Sequence, residues 1–217
     1  VKSLRPEIVC LPNGAFAENC YLVADATTGE VAIVDPGEEW SQFLTHIAAE
    51  EWTLRAIWLT HAHLDHIAGV APIVEATGVP VFLHPADRFL YDDLEGQGRW
   101  LGVRFPQPGP PDHEFGEGET IGVGRLHFEV RPVPGHSPGS VALVGHGAAL
   151  VGDALFQGSV GRVDLPGGDG STLLHSIRTQ LLTLPDDTVV YPGHGPATTI
   201  GAERSGNPFL TGAVPLG

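Results

Sequence analysis

The order of apolar and polar positions makes the first part of this chain strand-rich. Glu7–Leu11, Asn19–Ala24 and Val31–Val34 read as three short strands, separated by the turn formers Pro12-Asn13-Gly14 and Thr27-Thr28-Gly29. The third strand ends at Asp35-Pro36-Gly37. From Glu38 to Glu50 the period changes: Trp40, Phe43, Leu44 and Ile47 fall on one helical face, and the acidic first turn suits the helix dipole. An apolar run, Leu54–Leu59, leads into a polar cluster at 60–69. Ile67–Thr77 then reads as a helix stopped by Gly78, Val79–Leu83 as a strand, and Pro85 opens a helix that runs to Leu94. Residues 96–111, dense in Gly and Pro and containing Trp100 and Phe105, read as a long loop. Loops of this length serve either as a wall over a site or as a surface excursion. Strands return at Thr120–Val123, Leu126–Val133, Val141–Gly145 and Ala149–Val151. Leu173–Leu184 follows as a helix, then the strand Thr188–Tyr191 and a short last helix near Pro196. This order predicts an α/β (α+β) fold of two mixed β-sheets packed face to face with helices outside, a four-layer αββα sandwich. No linker divides the chain, so residues 1–217 are expected to form a single domain.

Composition narrows the function classes. The chain has 217 residues, of which 42% are apolar and 17% charged, ordinary values for a protein with a sizeable core. Its formal net charge of −15 argues against nucleic acid as a partner, because phosphate contact needs a basic footprint. No apolar run is long enough to span a bilayer and the first residues show no signal-peptide core, so a cytoplasmic protein with no membrane partner is expected. Cys10 and Cys20 lie in separate apolar runs and are expected to be reduced, buried thiols.

The chemistry concentrates in Thr60-His61-Ala62-His63-Leu64-Asp65-His66, with three imidazoles and a carboxylate within six residues. On extended backbone, residues two apart face the same side, so His61 and His63 can reach one ion together. Asp65 and His66 turn off that line towards a second. Imidazole and carboxylate suit zinc, iron or manganese. Three later residues recur in one context, an apolar strand and a glycine before the ligand: His136 after Pro134-Gly135, Asp153 after Gly152, and His194 after Pro192-Gly193. Ligands collect beyond strand ends in open sheets, and glycine there lets backbone approach closely. Asp35 and Ser137 are candidates for orienting ligands or loops from outside the site. His46 reads as a helix-surface residue. His84, His113, His127, His146 and His175 lack ligand company and suit surface or capping roles; His84, at a strand end before Pro85, is the one to check against the cleft.

His61-x-His63-x-Asp65-His66, followed by His136, Asp153 and His194, resembles the ligand signature of the hydrolytic metallo-β-lactamase superfamily. The likeness extends from Asn19-Cys20-Tyr21-Leu22-Val23 and Asp35-Pro36-Gly37 to His194. It implies an αββα fold and two divalent ions, zinc first, with iron or manganese as alternatives. His61, His63 and His136 would hold one ion, and Asp65, His66 and His194 the other, with Asp153 bridging. A metal-bridging hydroxide would be the nucleophile, with Asp65 and Asp153 as the carboxylates that hold the ions around it. Flavin-linked di-iron members carry glutamate where this chain has His63, so a hydrolase is implied. Secreted lactamases of the main zinc class carry cysteine where this chain has Asp153, so antibiotic degradation is not expected.

Within that superfamily, Gly152-Asp153-Ala154-Leu155-Phe156-Gln157-Gly158-Ser159-Val160-Gly161-Arg162-Val163-Asp164 resembles short bacterial members of the glyoxalase II-like branch, the hydroxyacylglutathione hydrolases. The implied substrate is a small thioester such as S-D-lactoylglutathione. Full-length glyoxalase II has a C-terminal helical domain that helps hold glutathione. Only 23 residues follow His194, so no such domain is expected. The family's glutathione-binding tyrosine after Gly161-Arg162 is also replaced, at Asp164 or its neighbour. Arg162 is the candidate for gripping a substrate carboxylate. Two alternatives stand beside this reading. One is a mononuclear iron persulfide dioxygenase of the same fold, with a ligand set matching His61, His136 and Asp153. The other is a hydrolase of another ester or thioester. A non-enzymatic metal-dependent binding protein is a third, weaker reading. The sequence leaves the oligomeric state open.

Overall fold

The computed structural model describes residues 4–116 and 118–216. Two six-stranded sheets dominate it. The first takes its strands in chain order: β1 (Glu7–Asn13), β2 (Glu18–Asp25), β3 (Glu30–Val34), β4 (Thr53–Trp58), β5 (Val81–Leu83) and β6 (His113–Glu114). Strands β1 to β3 are antiparallel, and β3 to β6 are parallel. The second sheet contains β7 (Thr120–Val123), β8 (Leu126–Pro132), β9 (Val141–Gly145), β10 (Ala148–Gly152), β13 (Val189–Pro192) and β14 (Thr198–Thr199). Between the last two groups a small hairpin pairs β11 (Leu155–Phe156) with β12 (Ser159–Val160).

Side-chain alternation explains the layering. In β2, Tyr21 and Val23 face the second sheet, while Cys20, Leu22 and Ala24 face helices, and every residue of the strand is buried. β3 and β4 split in the same way, with Trp58 packing edge-on against Phe128 of β8 at 5.8 Å between ring centres. On the outside of the first sheet lie α1 (Trp40–Ala49), α2 (Leu64–Ile67), α3 (Val70–Thr77), α4 (Arg88–Tyr91) and α5 (Leu94–Leu101). Against the second sheet lie α6 (Gly170–Ser176), which runs on as a π turn to Leu181, then α7 (Ile200–Gly206) and α8 (Pro208–Thr211). Two sheets with helices on both outer faces are the αββα sandwich that the strand order predicts.

Several local expectations are corrected. α1 starts at Trp40, so Glu38 and Glu39 precede the helix, and Glu39 accepts from Gln42 at 2.9 Å instead of occupying its first turn. The helix expected over Ile67–Thr77 is two helices, α2 and α3. They meet at Gly69, whose N–H donates to Pro36 O at 2.9 Å. Residues 96–101 are helical, not loop: Asp93 caps α5 by accepting from Gly96 N, and Leu94 and Gly98 face inward. Trp100 is 92% exposed, whereas Phe105 packs on the core. The helix expected at Leu173 begins at Gly170, capped by Asp169, and the one placed near Pro196 begins at Ile200. Cys10 is exposed on the edge strand β1, and only Cys20 is a buried thiol; both are free. Among the described residues no helix is long and apolar enough to cross a membrane.

Candidate metal centre

Strands β4, β8, β10 and β13 end on the same side of the molecule, because β8 and β10 both run antiparallel to β9 while β13 is parallel to β10. His61, His136, Asp153 and His194 lie just beyond those four ends. Backbone bonds close the gap between the sheets there. Val141 N–H donates to Thr60 O at 2.8 Å and Asn19 N–H to Gly193 O at 2.7 Å, while the Tyr21 hydroxyl donates to Pro192 O at 2.6 Å. Leu64 starts α2 immediately after His63, so Asp65 and His66 rotate away from the line of His61 and His63, as their spacing suggests.

The seven residues gather as two groups. His61, His63 and His136 can each offer a ligand atom within 4.8 Å of the others, and Asp65, His66 and His194 can do the same. Asp153 stands between them. Its Oδ2 is 3.6 Å from His136 Nε2 and 3.5 Å from His194 Nε2, and its Oδ1 is 3.5 Å from His66 Nε2. Asp35, His61 and His66 also bring one ligand atom each within 4.8 Å of the others. Asp35 is already committed elsewhere: it accepts from Thr60 N at 2.7 Å and Thr60 Oγ1 at 2.5 Å, and it faces Nδ1 of His66, not Nε2.

Outer hydrogen bonds fix the imidazoles. His136 Nδ1 donates to Arg162 O at 2.8 Å and His194 Nδ1 to Phe16 O at 3.1 Å. His66 Nδ1 lies 3.1 Å from Asp35 Oδ2, and His61 Nδ1 lies 3.1 Å from Thr60 Oγ1. Each of these rings therefore turns Nε2 inward, the arrangement by which an outer partner sets the tautomer of a metal-ligating histidine. His63 differs, presenting Nδ1, which is 2.8 Å from His136 Nε2.

The charges are unbalanced as they stand. Burial, then the neighbouring rings of His66, His136 and His63, push His61 well below the ordinary imidazole range. Burial and His136 push His63 down to about 3. Burial also opposes charge on His66, but Asp65, Asp153 and Asp35 outweigh it and hold that ring well above its usual value. Asp65 is held low because His66 and His194 outweigh the burial that would raise it. His61 and His63 are thus held neutral, while His66 holds its proton beside the carboxylates. His61 Nε2, His66 Nε2 and Asp153 Oδ1 are buried with no hydrogen-bond partner. Buried polar atoms left without a partner are costly unless a cation satisfies them, displacing the His66 proton as it binds, and this donor set fits zinc, iron or manganese.

A family model for the metallo-beta-lactamase superfamily matches residues 13–194. The chain belongs to that superfamily. Hydroxyacylglutathione hydrolase GloC of Haemophilus influenzae is 39% identical over 207 residues, which cover 94% of this chain and 97% of that protein. Among solved structures, TTHA1623 in a di-iron-bound form is 42% identical with a TM-score of 0.86, covering 93% of this chain and all of that one. BLEG-1 B3 metallo-beta-lactamase is 39% identical with a TM-score of 0.89, covering 94% of this chain and all of that one. Superfamily membership and the His/Asp groups make this chain a metal-dependent hydrolase by family.

In this member of the superfamily Gly193 is obligatory: a Cβ there would run into Asp153 Oδ1 and stand 2.7 Å from His66 Cε1. Asp35 lies 3.1 Å from Nδ1 of the candidate ligand His66. Among the described residues Ser137 makes no side-chain hydrogen bond to a candidate ligand; it donates to Asp87 Oδ2 at 2.7 Å. Arg162 is exposed and bound through Nε and Nη2 to Asp164 at 2.7 and 2.8 Å, while its carbonyl anchors His136. His84 caps the turn Pro85–Asp87 by accepting from Ala86 N at 3.3 Å. Two buried acids escaped the sequence reading. Glu18 accepts from Asn13 Nδ2 at 2.7 Å and places Oε1 3.7 Å from His66 Nδ1; burial above all raises its carboxyl well above the usual range. Asp87 is fully buried. Neither carries a local signal, since each is a lone acid beside a strand or turn.

Proposed function

We propose that this chain is a dinuclear-metal thioesterase acting on a small glutathione-type thioester such as S-D-lactoylglutathione. The observation that carries the reading is the position of Asp153, whose carboxylate faces His136 of one ligand group and His66 and His194 of the other. His61, His63 and His136 would hold one divalent ion and Asp65, His66 and His194 the second, with Asp153 shared. Bound there, such ions supply Lewis acidity that ionises a water near neutral pH and polarises a carbonyl. Asp35, the Arg162 carbonyl and the Phe16 carbonyl hold His66, His136 and His194 in the orientation this requires. The exposed side chain of Arg162, whose carbonyl holds His136, would bind a carboxylate of the thiol part of the substrate. Similarity to a hydroxyacylglutathione hydrolase supports the thioester, and the di-iron neighbour supports iron beside zinc and manganese as the native metal. A net charge of −15 supports a small-molecule substrate and not nucleic acid or a membrane surface.

A second reading rests on BLEG-1, a B3 metallo-beta-lactamase of nearly the same fold. The same centre would serve β-lactam hydrolysis, because both reactions develop negative charge on a carbonyl oxygen. Steady-state assay of the zinc-loaded protein separates these readings. Release of free thiol from S-D-lactoylglutathione, with β-lactams untouched, is the expected result. A metal-loaded sample that leaves the thioester intact would end the proposal, and oxygen uptake with glutathione persulfide would put a dioxygenase in its place.

A further inference from the structure

We propose that Asp87 is the positioning residue that sets the three-histidine group, by clamping together the two loops that carry it. This rests on the reading above that His61, His63 and His136 hold an ion. Asp87 ends a 3-10 turn after β5 and is fully buried, yet it belongs to neither ligand group. Its Oδ2 accepts from Ala62 N at 3.0 Å and from Ser137 Oγ at 2.7 Å, and its Oδ1 accepts from Gly139 N at 2.5 Å. Ala62 is the residue between His61 and His63, and Ser137 follows His136. These two loops leave different sheets, one from β4 and the other from β8. A single carboxylate therefore fixes the spacing between ligands that the sheets alone would leave to backbone packing.

The chemistry of the contacts requires an acid. All three partners donate, so an amide in either orientation would turn its NH2 against at least one backbone N–H. Among the described residues no cation pairs with Asp87: the guanidinium of the next residue, Arg88, is directed to Asp92 and Glu114. A buried carboxylate held only by hydrogen bonds is an expensive way to stabilise a fold, and apolar packing would serve better. Its retention is explained by geometry. Gly139 shows how tight the contact is, since a Cβ there would stand 2.7 Å from the Asp87 Cγ and N atoms. Gln97 of α5 supports the same loop, donating to Ala62 O at 3.0 Å and accepting from Leu64 N at 3.0 Å, so both peptides flanking His63 are held. The outer partners of His66 and His194 are Asp35 and Phe16, which Asp87 does not touch.

The test is a zinc titration of the metal-free protein, following the ring nitrogens of each histidine by NMR in wild type, Asp87→Asn and Ser137→Ala. In Asp87→Asn the responses of His61, His63 and His136 should move to about 10-fold higher free zinc or more, while those of His66 and His194 stay in place. Ser137→Ala, which removes one of three donors and leaves the acid, should shift the same three rings by a smaller factor. It decides the matter if Asp87→Asn does not fold. Equal displacement of both groups, or variants that match wild type, would overturn the clamp. Wild-type rings that ignore zinc would instead overturn the metal reading, and the clamp with it.

Discussion

Oδ2 of Asp35 lies 3.1 Å from Nδ1 of His66 and accepts the Thr60 hydroxyl at 2.5 Å, although the two ring-and-acid partners are 31 positions apart. The other oxygen takes Thr60 N at 2.7 Å. Every partner of this buried carboxylate is a donor, so Asp35→Asn forces one amide hydrogen against another donor and loosens the His66 ring. Outer partners of metal-ligating histidines are worth about 10- to 100-fold in affinity, and a loss in that range is expected at the Asp65, His66 and His194 group. Competition with a chromophoric chelator would measure it; an unchanged second-ion affinity would show that Asp35 only shapes the turn.

Asp153 and Gly193 make a paired prediction. Asp153→Ala removes the carboxylate that faces His136 of one group and His66 and His194 of the other, and metal content and turnover should fall together. Gly193→Ala should do nearly the same without touching a ligand, because its methyl would displace Asp153 and His66. Metal analysis beside circular dichroism checks both: folded protein with less metal is expected. An Asp153→Ala protein with full metal and normal turnover would remove Asp153 from its shared position.

The strand ends were legible because they combine two local signals, a short apolar run and a glycine that tolerates close contact. The runs ending at His136, Asp153 and His194 each carry both. What stayed hidden depends on partners far along the chain. Asp87 is one acid after Pro85-Ala86, and only the fold brings it Ala62, Ser137 and Gly139. α5 was missed for a local reason: Gly96 and Gly98 argue against a helix, yet Gly98 is where α5 meets Val103 O and Leu64, and a larger residue would push them apart. Cys10 was misplaced because an edge strand and an internal strand share the same alternation. The signature also says nothing of Arg162 as a backbone anchor for His136, since a carbonyl has no residue type.

The two ligand groups should differ in proton release. Burial keeps His61 and His63 neutral around pH 7, one well below the usual range and the other near 3, so an ion entering there displaces few protons from them. His66 is held well above its usual value, and His194 is raised because Asp65 and Asp153 outweigh its burial. Those rings must lose protons to bind, so affinity at that group should weaken as pH falls, a dependence to which His61 and His63 add little. Calorimetric zinc titrations in buffers of different ionisation enthalpy at neutral pH would resolve the two events. Equal proton release in both would contradict this charge distribution.

Arg162 and Asp164 decide how a carboxylated substrate is held. The pair is exposed and bidentate, and the guanidinium holds the Asp164 carboxyl down to about 2. A substrate carboxylate must take the Arg162 fork away from Asp164, so the pair acts as a gate on affinity. Arg162→Ala should raise KM for S-D-lactoylglutathione with little change in kcat, the signature of lost uniform binding. Asp164→Asn frees the fork and should lower KM instead. Exposed ion pairs are weak, so the gain should be small, roughly 1.5- to 5-fold. Opposite shifts from neighbouring surface positions could not come from general damage to the fold. Two variants with the wild-type KM would show that this arginine serves the site through its carbonyl alone.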